Sequence, residues 1–244
     1  MPDSAKKMIK ITAKEFIQQL SSQVSKDEIK NVQRFFRDKD PGTRFLGIRM
    51  LNIFNLAKKF TAMPVNEIAK LLQSEYYEVR MGAVSIMDFK ARVKNILPEI
   101  KKDLYELYIK NHDRINNWDL VDRSAPYVVG GYLFDKDRKP LYKLAKSKNV
   151  WERRTSIVAT YFFIRQNDLA DTFRIAAILV SDNHDLIQKA VGSWIREAGK
   201  KDESLLIEFL NNYVQRMPRV MLRYALEKLN KKEQQYYLKK GADT

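Results

Sequence analysis

The chain repeats one short pattern, RMGAVSI at Arg80–Ile86, RTSIVAT at Arg154–Thr160, KAVGSWI at Lys189–Ile195 and RYALEKL at Arg223–Leu229. In each copy a cation is followed by small and apolar residues. The last three copies start 35 and 34 residues apart. The first two start 74 residues apart, which is close to two units, and Arg44 opens a further unit 36 residues before Arg80. A period in this range, with two helices per unit, is typical of a HEAT-like solenoid in which one helix of each pair lines the concave side.

Apolar residues recur at helical spacing throughout the chain, which predicts an all-α protein. Examples are Ile17, Leu20 and Val24, then Ile29, Val32, Phe35 and Phe36, then Ile68, Leu71 and Leu72. Capping boxes are expected at Thr12–Glu15 and Ser25–Glu28, and short polar breaks at 40–43, 181–184 and 200–203. With 8 glycines and 7 prolines in 244 residues, and no Asn-Gly or Asp-Gly hairpin signal, β architecture is disfavoured. We expect one domain over 1–244, built from about six helix pairs.

The charge balance points to a polyanionic partner. The chain has 45 Lys and Arg against 30 Asp and Glu, a formal net charge of +15. A small domain needs only about 2–8 charges for solubility. In the predicted solenoid the repeated cations would form a basic stripe along the concave face, which suits a nucleic-acid backbone better than a membrane surface. A basic surface kept for solubility alone is the alternative.

Several classes of protein are disfavoured by what the sequence lacks. It has no cysteine, so disulfides and thiolate metal sites are excluded. No run of about 18 apolar residues predicts a membrane span, and the charged N-terminus does not resemble a signal peptide. His112 and His184 lie far apart without ligand spacing, so no metal is expected. We expect a cytoplasmic, nucleoid-associated monomer of bacterial type that uses no cofactor.

One segment combines residues that could perform chemistry, NNWDLVDRSAP at 116–126. Trp118 and Asp122 are four residues apart, so a helix places an indole and a carboxylate on one face. Leu120 and Val121 point elsewhere and can anchor that helix in the core. Taken alone, the spacing favours a structural interpretation, with Trp118 in the core and Asp119 or Asp122 as solvated or capping acids.

Five segments together resemble the successive motifs of AlkD-type alkylpurine DNA glycosylases. They are FLGIR at Phe45–Arg49, EVRMGA at Glu78–Ala83, WDLVD at Trp118–Asp122, NVWERR at Asn149–Arg154, and LIQKAVG at Leu186–Gly192 followed by Arg196 and Glu197. The resemblance covers roughly residues 40 to 200. It implies a HEAT-like fold and hydrolysis of the N-glycosidic bond of N3- or N7-alkylated purines in double-stranded DNA, without a metal or organic cofactor.

The resemblance also implies roles for individual residues. Asp122 would be the catalytic carboxylate, Trp118 an aromatic against the sugar of the lesion, and Arg154 a phosphate-contacting cation. Arg154 or Arg123 would favour the ionised form of Asp122. We also predict DNA contacts by the repeat cations Lys189, Arg80 and Arg223 and by Arg153, which precedes Arg154. Most glycosylases rotate the damaged nucleotide into a pocket, whereas AlkD-type enzymes leave the lesion at the duplex and work from the backbone side.

The sequence departs from the family at one aromatic position. AlkD-type proteins usually have an aromatic directly after the QKAxG segment, and this chain has Ser193 there, followed by Trp194. Trp194 shares a helical stripe with Ile187 and Val191, so it either belongs to the core or replaces the missing aromatic. Trp151 either packs between repeats or borders the DNA groove.

Three functions are therefore compatible with the sequence. The first is excision of alkylpurines. The second is a non-catalytic HEAT-like protein that binds bent or branched DNA through the same groove, which Ser193 favours and the pair of Trp118 and Asp122 disfavours. The third is a scaffold for an acidic protein, which would explain the charge but not the WDLVD segment.

Overall fold

The computed structural model describes residues 11–34 and 42–241, and their regular structure is helical. No β-strand occurs in these ranges; an isolated parallel bridge joins Arg44 to Tyr76. The all-α prediction is confirmed for this part of the chain. Contacts divide the chain into two compact units, with the boundary between Ile115 and Asn116. A single domain over 1–244 and a basic concave face remain predictions.

The described residues of unit 1 form six helices, named in chain order. They are α1 (Ala13–Ser21), α2 (Lys26–Gln33), α3 (Met50–Lys59), α4 (Val65–Leu72), α5 (Tyr77–Ala91) and α6 (Pro98–Lys110). The predicted apolar residues of α4, Ile68, Leu71 and Leu72, are fully buried. In α1 the core face is instead Phe16 and Leu20, while Ile17 is exposed. Phe35 and Phe36 lie outside the described residues, as do residues 40 and 41 of the predicted break at 40–43.

Unit 2 contains the remaining helices. They are α7 (Trp118–Ala125), a π-helical turn (Pro126–Gly130), α8 (Gly131–Leu133), α9 (Lys139–Ala145), α10 (Val150–Ala159), α11 (Tyr161–Arg165), α12 (Ala170–Leu179), α13 (Asp185–Gly199), α14 (Glu203–Tyr213), a 3-10 turn (Val214–Arg216), α15 (Arg219–Leu226) and α16 (Lys231–Lys240). Helix α10 packs against α7 and α13, and α13 packs against α15. The breaks predicted at 181–184 and 200–203 separate α12 from α13 and α13 from α14.

The closest packing between helices of unit 2 depends on a glycine. A Cβ added at Gly192 of α13 would lie 2.5 Å from the carbonyl oxygen of Met221 and 2.6 Å from the Cβ of Tyr224, both on α15. Any larger residue at this position would therefore force the two helices apart. This explains why the KAVGSWI repeat needs a small residue one turn after its cation.

The two predicted capping boxes differ in the structure. The Thr12 hydroxyl accepts a hydrogen bond from the Glu15 N–H at 3.3 Å, which confirms this half of the first box. The Glu15 carboxylate accepts from the Gln19 amide at 2.7 Å. Ser25 precedes α2 but its side chain makes no capping bond, so the second prediction is wrong. The Glu28 carboxylate, which would have completed that box, instead accepts from the Arg49 Nε at 2.9 Å. A charge-assisted bond to an arginine is stronger than a bond to a neutral N–H, which accounts for this choice.

Three of the five repeat cations lie early in a helix, as expected. Arg80 is the fourth residue of α5, and Arg154 and Lys189 are the fifth residues of α10 and α13. Arg223 lies instead in the last turn of the eight-residue helix α15, so the prediction is wrong there. The prediction for Arg44 is wrong. Arg44 precedes α3 in an extended segment, where its N–H donates to the Glu75 carbonyl and its side chain pairs with the Glu75 carboxylate at 3.1 Å.

Candidate active site

Helix α7 carries the two residues singled out by the WDLVD segment. Leu120 and Val121 are fully buried, which confirms that they anchor the helix. The buried Ser124 hydroxyl donates to the Leu120 carbonyl at 2.8 Å and is therefore paired. With that face fixed, Trp118 and Asp122 lie half-buried, one turn apart on the other side of the helix.

A proline shapes the backbone directly after Asp122. Pro126 lies four residues further on and has no N–H, so it cannot donate to the Asp122 carbonyl as a regular α-helix would require. The α-helical pattern ends at Ala125, and the chain continues as the π-helical turn Pro126–Gly130. Such turns occur often at functional sites. Here the turn also brings the backbone close to α10, because a Cβ at Gly130 would lie 2.1 Å from the Ala159 carbonyl oxygen.

Asp122 is held by a bidentate ion pair with Arg154 of α10. The Arg154 Nε lies 2.9 Å from Oδ1 of Asp122, and Nη2 lies 2.8 Å from Oδ2. A third donor, Nη1, bonds to the Leu186 carbonyl in α13, so three helices meet at this guanidinium. The sequence correctly predicted a cation beside Asp122, and the two charge-assisted bonds fix the orientation of the carboxylate.

The two partners of this ion pair differ in exposure. The Asp122 side chain is 30% exposed, whereas the Arg154 side chain is 8% exposed. A molecule approaching the site therefore meets the negative end of the pair. Arg154 was predicted to contact a phosphate, but in this conformation its donors are directed to Asp122 and to Leu186.

The neighbouring Arg153 ties two loops together. Its guanidinium bonds to the Asp182 carboxylate at 2.7 Å and to the carbonyls of Ser147 and Lys148 at 3.0 Å each. Asp182 also accepts from the N–H of His184 at 2.9 Å. Arg153 thus fixes the segments that precede α10 and α13, in addition to any contact with DNA.

The other predicted DNA-binding cations have different surroundings. Lys189 pairs with Asp185 one turn earlier at 2.8 Å, and Arg223 is exposed on α15. Arg80 in unit 1 is 1% exposed and donates to the Ser74 carbonyl, the Glu75 carbonyl and the Thr43 hydroxyl. Because no phosphate can reach an enclosed guanidinium, the prediction of a DNA contact by Arg80 has to be corrected to a structural role.

The structure also shows the positions of the two candidate aromatic residues, Trp194 and Trp151. Trp194 stacks on Tyr161 with ring centroids 4.8 Å apart and packs against a buried cluster formed by Ile164, Leu169 and Ala198. This packing favours the core alternative for Trp194. Trp151 is half-buried at the start of α10. A contact between either indole and a lesion remains a prediction.

His184 and His112 take no part in a metal site. Nδ1 of His184 accepts from the Leu186 N–H at 3.2 Å and caps α13. His112 is buried beside Tyr108, with ring centroids 5.0 Å apart. Across residues 11–34 and 42–241, no group of three or more His, Cys, Asp or Glu side chains is placed to hold a metal. No helix in the same ranges is long and apolar enough to cross a membrane.

Two features of this site were missed from the sequence. The position of Pro126 four residues after Asp122 was a local signal for an irregular turn at the site. Asp182 had no such signal, because it reaches Arg153 across 29 residues and only the packing of α10 near α13 joins them.

The fold and this charged pair define an all-α protein with a candidate active site on α7 and α10, and comparison with known proteins identifies the family. Residues 16–229 match the model of the DNA alkylation repair enzyme family, so the chain belongs to that family. No curated protein matches the sequence.

Solved structures of similar fold come from two bacteria. A predicted DNA alkylation repair enzyme from Enterococcus faecalis superimposes with a TM-score of 0.66 at 15% identity, covering 86% of this chain and 98% of that one. AlkD2 from Streptococcus mutans gives a TM-score of 0.52 at 19% identity, covering 90% and 100%. At these identities the likeness concerns the fold, and it confirms the predicted all-α fold class.

Proposed function

We propose that this chain is a DNA glycosylase that hydrolyses the N-glycosidic bond of cationic N3- or N7-alkylpurines in duplex DNA. The observation that carries the proposal is the Asp122 carboxylate, held by Arg154 at 2.8 and 2.9 Å with its open side one turn from Trp118. Membership of a DNA alkylation repair family supports the choice of substrate class.

The chemistry of the lesion makes so small a site sufficient. An alkylpurine that is already positively charged leaves as a neutral base, so no general acid is needed. Positive charge develops on the deoxyribose instead, as in other glycoside hydrolysis. The protein must stabilise this oxocarbenium-like centre and admit a water molecule to it.

Asp122 meets the electrostatic requirement. Its oxygens are fixed before the reaction by two bonds from Arg154, so little reorganisation is needed when charge develops on the sugar. The arginine weakens the field of the carboxylate, but the guanidinium is 8% exposed and lies behind it, while the carboxylate is 30% exposed. The exposed oxygen surface can face the sugar and orient the attacking water.

Trp118 would contribute through its indole face. An aromatic ring attracts a cation through its quadrupole, and the attraction is worth about 0.5–2 kcal/mol. Because the sugar becomes charged only as the bond breaks, this attraction lowers the barrier rather than strengthening ground-state binding. Trp118→Ala is expected to reduce the single-turnover rate about 2- to 30-fold, which is that energy expressed as a rate ratio.

The decisive experiment compares two aspartates of the same helix. Asp122→Asn should reduce release of methylpurines from methylated duplex DNA about 100-fold or more, the range found on removal of one preorganised electrostatic group. Asp119→Asn is the matched control, because Asp119 also lies half-buried in the first turn of α7 and accepts a bond from Asn117 at 2.8 Å. Equal rates for wild type and Asp122→Asn would refute the assignment.

A second candidate function is binding of bent or branched DNA without catalysis. It is favoured by the packing of Trp194 into a buried cluster, which leaves Ser193 at the position where the related glycosylases usually have an aromatic. Duplex binding without release of any methylpurine by the wild-type protein would support this alternative.

A further inference from the structure

A cavity in unit 2 lies apart from Asp122 and Trp118. Its volume is about 390 Å³, and it is formed by the loop between α12 and α13, the first turns of α13, and the turn that precedes α15. Its polar lining consists of the side chains of Ser181, Asn183, Gln188, Gln215, Arg216 and Arg219. No carboxylate lines it. The cavity therefore presents two cations, the Ser181 hydroxyl and the Asn183 amide. The amides of Gln188 and Gln215 also donate to the carbonyls of Asp182 and Lys240.

The two arginines of this cavity differ from three other arginines of unit 2. Arg138, Arg153 and Arg154 are each bound to an aspartate at 2.6 to 2.9 Å. Within residues 11–34 and 42–241, neither Arg216 nor Arg219 forms a salt bridge. Arg216 lies over the Tyr213 ring at 5.7 Å, and Arg219 donates to the Leu238 carbonyl.

The segment of the chain that contains these arginines supplies no counter-charge of its own. Between Glu208 and Glu227 the chain has no Asp or Glu, although it contains Arg216, Arg219 and Arg223. This segment carries positive charge that nothing nearby along the chain neutralises. Guanidinium groups left without a carboxylate in a polar cavity suit an anion that arrives from outside.

We propose that this cavity binds a phosphate of the DNA backbone; the inference rests on the proposed function for its choice of DNA as the polyanion. Arginine binds phosphate oxygens in bidentate geometry, and serine, asparagine and glutamine side chains commonly add bonds to the same oxygens. We name the group of Arg216, Arg219, Ser181, Asn183 and Gln188 the phosphate cavity.

The phosphate cavity has a natural continuation along α15. Arg219 and Arg223 are four residues apart, so they lie on one helix face about 6 Å apart along the axis. Successive phosphates of one B-DNA strand rise about 3.4 Å along the duplex, so the pair spans about two nucleotides. Arg223 is exposed and would meet the next phosphates of the same strand.

A second cavity continues towards the candidate active site. It has a volume of about 470 Å³, shares Ser181 and Asn183 with the phosphate cavity, and is also lined by Arg153, Asp182 and His184. The Asp182 carboxylate repels a phosphate only weakly, because Asp182 is already paired with Arg153 at 2.7 Å. A strand seated in the phosphate cavity would thus run along the loop before α13 towards the residue adjacent to Arg154.

The test measures how DNA affinity depends on salt. Each phosphate contact contributes about 0.9 to the slope of log affinity against log salt. With an undamaged duplex, Arg216→Gln is expected to lower the slope by up to about 0.9, and Arg216→Gln with Arg219→Gln by up to about 1.8. The single variant is included because Arg219 also bonds to the Leu238 carbonyl, so its loss can loosen α16.

The matched control removes two cations from the opposite end of α13. Lys200→Gln with Lys201→Gln changes the net charge equally, about 22 Å from the phosphate cavity along a 15-residue helix. If both cavity variants keep the slope of this control, or if the wild type does not bind duplex DNA, the inference is overturned. A lowered slope without methylpurine release would support the phosphate cavity while rejecting the proposed catalysis. Release of methylpurines with an unchanged slope would support the proposed catalysis and reject the phosphate cavity.

Discussion

Asp122 and Arg154 should be thermodynamically coupled, and a double-mutant cycle can measure the coupling. Arg154→Gln removes both charge-assisted bonds to Asp122 and the bond to the Leu186 carbonyl. Breaking a fully buried ion pair costs about 3–5 kcal/mol. Because the Asp122 side chain is 30% exposed and water can solvate it, we expect a smaller loss, about 2–3 kcal/mol.

Asp122→Asn leaves a guanidinium that is 8% exposed without an opposite charge, although the amide oxygen can still accept one bond. We expect this substitution to cost about 1–3 kcal/mol. The double variant should cost less than the sum of the two single variants. The difference, about 1–2 kcal/mol, is the coupling energy of the pair.

Urea unfolding followed by tryptophan fluorescence is a suitable assay. The three tryptophans, Trp118, Trp151 and Trp194, all lie in unit 2, so their emission reports the unit that contains the pair. Arg165→Gln is a control, because Arg165 is exposed and such changes usually fall within about 0.5 kcal/mol. A coupling energy below about 0.3 kcal/mol would mean that Arg154 does not hold the carboxylate, and the argument for a preorganised Asp122 would fail.

Three further predictions concern stability, each measured as the midpoint of thermal unfolding by circular dichroism. Gly192→Ala should destabilise the protein by about 1–3 kcal/mol because the new Cβ meets backbone atoms of α15. The control is Gly131→Ala, whose Cβ would lie 3.3 Å from the Phe162 ring and which should change the stability little. Equal effects of the two substitutions would contradict the packing argument. Glu78→Gln should destabilise because the buried carboxylate accepts from three backbone N–H groups, at 2.8 to 3.4 Å; a neutral result would show that these bonds do not matter. The pKa of Asp202 is held below its usual value by bonds from the Ser204 hydroxyl and the Leu205 N–H. Its stabilising contribution is therefore present at neutral pH and is lost as the pH falls through that lowered pKa. The difference in unfolding midpoint between wild type and Asp202→Ala should narrow in acid, and a difference independent of pH would contradict the prediction.

Local pattern was enough to predict the helices and the candidate catalytic helix. Apolar spacing placed Ile68, Leu71 and Leu72 in one buried stripe because residues three and four apart share a helix face whatever the rest of the chain does. The same rule placed Trp118 and Asp122 together and assigned Leu120 and Val121 to the core. The prediction at Ser25 failed because Glu28 had a stronger partner, Arg49, whose position the local sequence does not specify.

The sequence by itself determined the helical architecture, the excess of positive charge and the pairing of an indole with a carboxylate, because each follows from residue type and short spacing. The tertiary structure decided which cations remain available. Arg80 and Arg154 open similar repeats, yet one bonds to carbonyls and a hydroxyl, and the other bonds to an aspartate 32 residues away. A guanidinium binds whichever acceptor the packing brings within about 3 Å. That acceptor is fixed only when distant helices are in place, and so is the absence of any carboxylate beside Arg216 and Arg219.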